Sequence, residues 1–205
     1  MAFADDVLAG LFAYLGPGGA LLALFLIFVV DAAVFPALPE VAIVLTYSFG
    51  PPGFEPLVWA LLLLVMAVLG EAVGNAALYG IVKRALVQRG RMPAVLERVM
   101  RRWVNFLVVR DERIILLNRV APVVPMVGAF IATLGWNVRR SLAYVVIGAT
   151  AKYAALLVLI GAMGVAYDPA TARAIAIGLV LGIVGVSGVA AYAYRRRARD
   201  APGRP

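Results

Sequence analysis

The sequence contains no cysteine and no histidine. The first absence excludes disulfides, thiol nucleophiles and thiolate-bound metals. The second removes the commonest general base and metal ligand near neutral pH. Charge is scarce as well: 15% of the 205 residues are charged and 64% are hydrophobic, with a mean hydropathy of +0.96. A soluble domain of this size needs more polar surface to cover its core. The composition therefore indicates an integral membrane protein of one domain. Positive charge is missing from the whole first part of the chain, where residues 1–82 carry six acids but no Lys or Arg. The opening "MAFADDVLAG" is acidic where a secretory signal is basic, so no cleaved signal is expected.

The basic residues that are present cluster. Residues 83–113 hold nine, Arg139 and Arg140 form a pair, and the chain closes on "YRRRARDAPGRP". Lys and Arg mark the cytoplasmic ends of membrane spans, so these three regions are expected inside. "SFGPPGFEP" and "AYDPATA", without Lys or Arg, are expected outside. The formal net charge of +8 is thus read as membrane orientation, and no nucleic-acid partner is expected. About 20 apolar residues cross a bilayer. Residues 57–82, 141–166 and 172–194 satisfy that length and alternate correctly between the two sides.

Two further apolar stretches are broken by prolines. "FPALPEVAIVLTYSFG" and "APVVPMVGAFIATLGW" each contain P-x-x-P, with Pro36 and Pro39 in the first and Pro122 and Pro125 in the second, 86 residues later. Each precedes a loop and then a long span. The spans share a short Ala-Ala-Leu, in "GNAALYG" and "AKYAALLV". Broken backbone at membrane depth is tolerated where protein or a wet cavity covers it, and inverted repeats of broken helices are a recurring transporter plan.

The expected fold is an all-α polytopic membrane protein with two inverted repeats, each a re-entrant helical hairpin plus a transmembrane helix. Repeat A covers about 17–82, a linker 83–113, repeat B about 114–166, an extra C-terminal span 172–194 and a basic tail 195–205. One hairpin opens outside and the other inside, which puts the N-terminus outside and the C-terminus in the cytoplasm. A full crossing by 17–35 would instead move the N-terminus inside.

The linker contains an amphipathic segment, 94–109. Val95, Leu96, Val99, Met100, Trp103, Phe106 and Leu107 share one helical face, and Arg98, Arg101, Arg102 and Asn105 lie largely on the other. Pro93 suits the first turn. Such a helix either lies in the headgroup layer with its Arg face on lipid phosphates or packs on the cytoplasmic end of the protein.

Ionisable residues inside apolar spans are costly and mark sites. Asp31, Glu40, Glu71, Arg119 and Lys152 form that set, with polar Asn75 beside them. The acids lie in the first half and the bases in the second, so interlocking repeats would bring them together. Glu71 and Asn75, four apart, share a helix face. Gly70 and Gly74 form G-x-x-x-G there, read as close helix packing. Lys152 either joins the site or balances an acid. Carboxylates in a low-dielectric cavity are candidate proton carriers. The planar guanidinium of Arg119 suits phosphate. No metal site, cofactor or enzymatic activity is expected from this set.

These residues resemble a known family. "DAAVFPALPE", with Asp31, Pro36 and Glu40, is similar to the acidic, proline-broken segment of the DedA proteins, also called the SNARE-associated or VTT-domain family. "GEAVGNAALYGIVKR", with Gly70, Gly74, Tyr79 and Gly80, resembles that family's Gly-rich span. "NRVAPVVP", with Arg119, Pro122 and Pro125, resembles its second re-entrant motif. The likeness covers about residues 20–165. Many bacterial members carry a second Arg six residues after the first, where this chain has Pro125. The R-x-x-P-x-x-P form looks more like the branch containing eukaryotic and archaeal-type members. Some members have an acid at the position of Asn75.

The resemblance implies lipid transport across the cytoplasmic membrane: flipping of a polyprenyl phosphate with proton coupling, or phospholipid scrambling. The partners it implies are membrane lipids, especially anionic or phosphate-bearing ones, and protons as the coupling ion, with oligomeric state open. Two other readings of the residues stand beside it. One is a proton-coupled exporter of small soluble drugs or ions. The other is a non-transporting scaffold whose polar residues only pair with one another.

Overall fold

The computed structural model of the chain describes residues 2–33, 39–51, 53–89, 111–120 and 126–167, with scattered positions between 171 and 185. Pro36, Pro122, Pro125, the amphipathic segment 94–109 and the basic tail lie outside the described residues, as does most of the expected span 172–194. Among the described residues the protein is helical throughout, without strands. Helix α1 is Ala2–Ala33, α2 Pro39–Ser48, α3 Pro56–Val82, α4 Ile114–Val120, α5 Val127–Leu134 and α6 Val138–Ala166. A π-helical turn, Lys83–Val87, prolongs α3 without a break.

Among the described residues, three segments are long and apolar enough to cross a membrane: Ala13–Ala33, Pro56–Val87 and Val138–Ala166. The last two correspond to the expected spans 57–82 and 141–166, each longer than read from sequence. Leu61, Val65, Leu69 and Val73 form an exposed apolar stripe at every fourth position of α3, and Leu22, Leu26 and Val30 do the same on α1. Large apolar surface of this kind suits a lipid environment.

Local chemistry sets the ends of these helices. Gly16, with φ 63, kinks α1 immediately before Pro17, as expected where a proline disfavours the helical conformation of its predecessor and glycine tolerates positive φ. Pro39 and Pro56 occupy first-turn positions of α2 and α3, where the missing N–H has no helical partner anyway. Gly135, with φ 69, closes α5 while the Trp136 amide donates to the Ile131 carbonyl at 3.2 Å. The Asn137 side chain accepts from the Arg140 amide at 3.1 Å and caps α6.

Glycine contacts fix the register of α1 on α3. A β-carbon on Gly70 would meet Phe28 Cβ at 2.6 Å and the Phe25 carbonyl oxygen at 2.7 Å. One on Gly74 would meet the Val29 carbonyl oxygen at 2.5 Å and Ala32 Cβ at 2.8 Å. The G-x-x-x-G is therefore a packing seam, as its spacing predicts. Moving four residues along α3 also moves about four along α1 in the same direction, so the two helices run parallel. α1 ends at the level of Gly74, while α3 continues about 20 Å further to Val87 at 1.5 Å per residue. The Ala13–Ala33 segment thus has the length for a full crossing but stops well short of the far end of its neighbour.

α6 runs antiparallel to α3. One buried cluster joins Trp59, Leu63 and Ala67 of α3 to Tyr153, Leu157 and Ile160 of α6, with Phe28 of α1 and Ile43 and Val44 of α2. A second joins Leu78 and Val82 of α3 to Val145 of α6, with Ile114 and Ile115 of α4 and Phe130 and Ile131 of α5. Between the two clusters, α3 carries Glu71 and Asn75, both 3% exposed.

Candidate functional site

The polar side chains occupy the middle of the long helices. Lys152 has fourteen residues of α6 on either side, about 21 Å each way. Glu71 divides Pro56–Val87 almost equally. Both short helices begin at this level and run to opposite ends of the α3–α6 pair. α2 starts beside Lys152 and finishes near Trp59, whose Nε1 donates to the Thr46 carbonyl at 3.1 Å. α5 starts beside Asn75 and runs toward the cluster around Val82.

Lys152 Nζ donates to Glu40 Oε1, forming an ion pair across 112 positions of sequence. Its side chains are 30% and 16% exposed, so the pair is half-buried yet reachable. Lys152 Nζ also lies 5.2 Å from the centroid of the Tyr153 ring, within cation–π range. Tyr153 is fully buried and turns its hydroxyl the other way, donating to Glu71 Oε1 at 3.0 Å. Its ring edge meets Phe28 at a centroid distance of 5.0 Å. Two adjacent residues of α6 thus engage two carboxylates from two other helices. Lys152 is answered by an acid, as its charge requires at this depth, and Glu71 receives a donor.

Asn75 has a different part. Its Nδ2 donates to the Glu71 carbonyl at 2.9 Å, and its Oδ1 accepts from the Gly128 amide at 3.1 Å. The second bond takes up one of the amides that an α-helix leaves unpaired in its first turn, so Asn75 caps α5 from another helix. A β-carbon on Gly128 would lie 2.3 Å from the Asn75 carbonyl oxygen. The preceding Met126 adopts a left-handed conformation, φ 51 and ψ 53, uncommon for a residue with a side chain.

The expected site is therefore brought together in part. Glu40, Lys152 and Glu71 converge through Tyr153, and Asn75 sits one turn below as a structural clamp. Asp31 lies near the end of α1, half-buried and with an interaction partner of its own. Arg119 is in α4, one residue from its end, and its side chain is not among those described. Pro39 opens α2. Tyr153 was not legible as a site residue, although its position beside an intramembrane lysine in "AKYAALLV" was a usable signal. No protein family, characterised protein or solved structure matches the chain. The functional reading rests on the geometry above and on the sequence motifs.

Proposed function

We propose that the chain is an integral membrane transporter that translocates lipids with an anionic phosphate headgroup, as a flippase or scramblase of the DedA/VTT kind. The observation that carries this reading is that two short helices start near the level of the Glu40–Lys152 and Glu71–Tyr153 contacts. α2 and α5 have 10 and 8 residues, about 15 and 12 Å, too short to cross a bilayer. They start near the centre and leave toward opposite ends. That arrangement supports a pair of re-entrant hairpins, inverted relative to each other, around a polar centre. The Pro36–Pro39 and Pro122–Pro125 breaks would lie at the hairpin tips. Arg119 and Lys152 would attract the headgroup, with Asp31, Glu40 and Glu71 as candidate proton carriers. The placement of Lys and Arg supports a cytoplasmic C-terminus in the cell membrane.

A second reading has its own support. The Glu40–Lys152 pair leaves both charges compensated, as a non-transporting scaffold would need. Reconstitution separates the two. Purified protein in phosphatidylcholine vesicles carrying a fluorescent lipid phosphate is expected to move the probe between leaflets, and Arg119→Ala to abolish movement while remaining monodisperse. A fully active Arg119→Ala variant would sink this assignment of the arginine. No lipid movement by the unmodified protein favours the scaffold, and accumulation of a soluble solute alone favours the exporter.

A further inference from the structure

We propose that Lys152 is an exchange site for a phosphate-bearing anion, and that Glu40 is its built-in competitor, occupying the lysine when the anion is away. The inference rests on the transport reading and names the side chain that takes the charge.

Three observations carry it. The pair lies at the midpoint of a 29-residue helix, where an isolated ammonium has no bulk water to balance it. Yet the lysine side chain keeps 30% of its surface exposed, in contrast to the buried Tyr153–Glu71 contact beside it. The lysine can therefore be approached without dismantling the core. Next, the carboxylate comes from the first turn of α2, a short helix whose other end is held separately by Trp59 through Thr46. Releasing Glu40 leaves that attachment in place.

Finally, the cation is a lysine in a chain with seventeen arginines and only two lysines. An arginine fork grips a carboxylate in a fixed bidentate geometry, whereas an ammonium on a flexible stem has three rotatable donors and no preferred plane. The lysine can pass from carboxylate to phosphate by turning its donors, with the Tyr153 ring supporting it in both states. A phosphate monoester offers more charge and more acceptor oxygens than a carboxylate. It displaces Glu40 where a neutral or zwitterionic headgroup does not.

The test titrates dioctanoyl phosphatidic acid into the purified full chain in phosphatidylcholine nanodiscs, with calorimetric readout and dioctanoylglycerol as the phosphate-free control. Glu40→Gln removes the competitor and is expected to tighten phosphatidic acid binding by roughly tenfold. Lys152→Gln removes the site and is expected to abolish it. The double variant Glu40→Gln/Lys152→Gln carries no buried charge at the pair. It is expected to stay monodisperse and not to bind, which separates loss of the site from loss of the fold.

Equal or weaker binding by Glu40→Gln, undiminished binding by a folded double variant, or no binding of either phosphatidic acid or inorganic phosphate by any form overturns the exchange. Inorganic phosphate reproducing the same ranking without phosphatidic acid binding supports the exchange site but overturns a lipid as the source of the anion. Vesicle translocation is scored separately. Movement of lipid without the binding pattern defeats this inference alone, and the binding pattern without movement defeats the transport reading alone.

Discussion

The side chain of Asn75 and the backbone of Gly128 join two helices that are 53 positions apart in sequence, with Asn75 Oδ1 accepting from the Gly128 amide at 3.1 Å. The contact exists because position 128 has no side chain: a β-carbon there would stand 2.3 Å from the Asn75 carbonyl oxygen. A polar cap and a steric requirement coincide at the start of α5, next to the left-handed Met126.

Gly128→Ala is accordingly expected to push α5 off α3 and to destabilise the protein by about 1–3 kcal/mol, the usual scale of overpacking. Asn75→Ala leaves the Gly128 amide without its cap, at a cost of about 1–3 kcal/mol. Thermal unfolding in detergent, followed by circular dichroism, checks both. An unchanged midpoint for Gly128→Ala would show that α5 has room to shift.

At the other seam, Gly70→Ala and Gly74→Ala each set a methyl group against backbone of α1, at 2.7 Å from the Phe25 oxygen and 2.5 Å from the Val29 oxygen. Backbone cannot rotate away as a side chain does. Each is expected to lower the unfolding midpoint, and Gly80→Ala, which has open space around it, to leave it unchanged. Equal behaviour of the three variants would contradict the parallel packing of α1 on α3.

Tyr153→Phe keeps the ring, its edge contact with Phe28 and its place under Lys152, and removes only the hydroxyl that donates to Glu71. The expected stability loss is about 1–2 kcal/mol, on the scale of one hydrogen bond between membrane helices. Tyr153→Ala should cost more, since it also opens a cavity. Under the transport reading, Tyr153→Phe slows translocation while the protein stays folded. Wild-type rates would assign the hydroxyl to structure alone.

The absence of cysteine makes topology easy to read. Single cysteines at Ser48 and Gln88 are expected to react with a membrane-impermeant maleimide from opposite sides, Ser48→Cys from outside and Gln88→Cys only after permeabilisation. A cysteine at Asp5 tests the parallel packing of α1 on α3: it is expected to label from the same side as Ser48→Cys, and labelling from the side of Gln88→Cys would overturn that packing.

Those elements that depend on composition over many residues were legible in the sequence. α3 and α6 start within a few residues of the positions read from hydropathy, and the Gly70–Gly74 spacing announced a packing seam. The pairing of an acid from the first half with a base from the second followed from the rule that charge at membrane depth needs a partner. Which acid met which base did not, because nothing in the local pattern around Glu40 encodes a residue 112 positions away. Tyr153 was invisible for a related reason: an aromatic in an apolar helix reads as core until its hydroxyl is located. The π-helical extension of α3 to Val87 was missed because the lysine and arginine at 83–84 marked the membrane boundary, and both are good helix formers that do not end a helix. Asn75 looked like part of a polar site, but its amide serves a distant helix start that has no sequence periodicity to reveal it.

The seams on α3 also sort its surface into fixed and movable sides. Along Gly70 and Gly74 it is pressed against α1 with no room for a methyl group, and Gly128 closes α5 on it just as tightly. No acyl chain threads either joint, and neither joint slides without unpacking backbone from backbone. The flank toward α6 differs at its middle, where between two apolar clusters the Tyr153 phenol donates to the Glu71 carboxylate, a side-chain contact that parts without moving backbone. Two faces of α3 are welded, and the third is bolted at its middle.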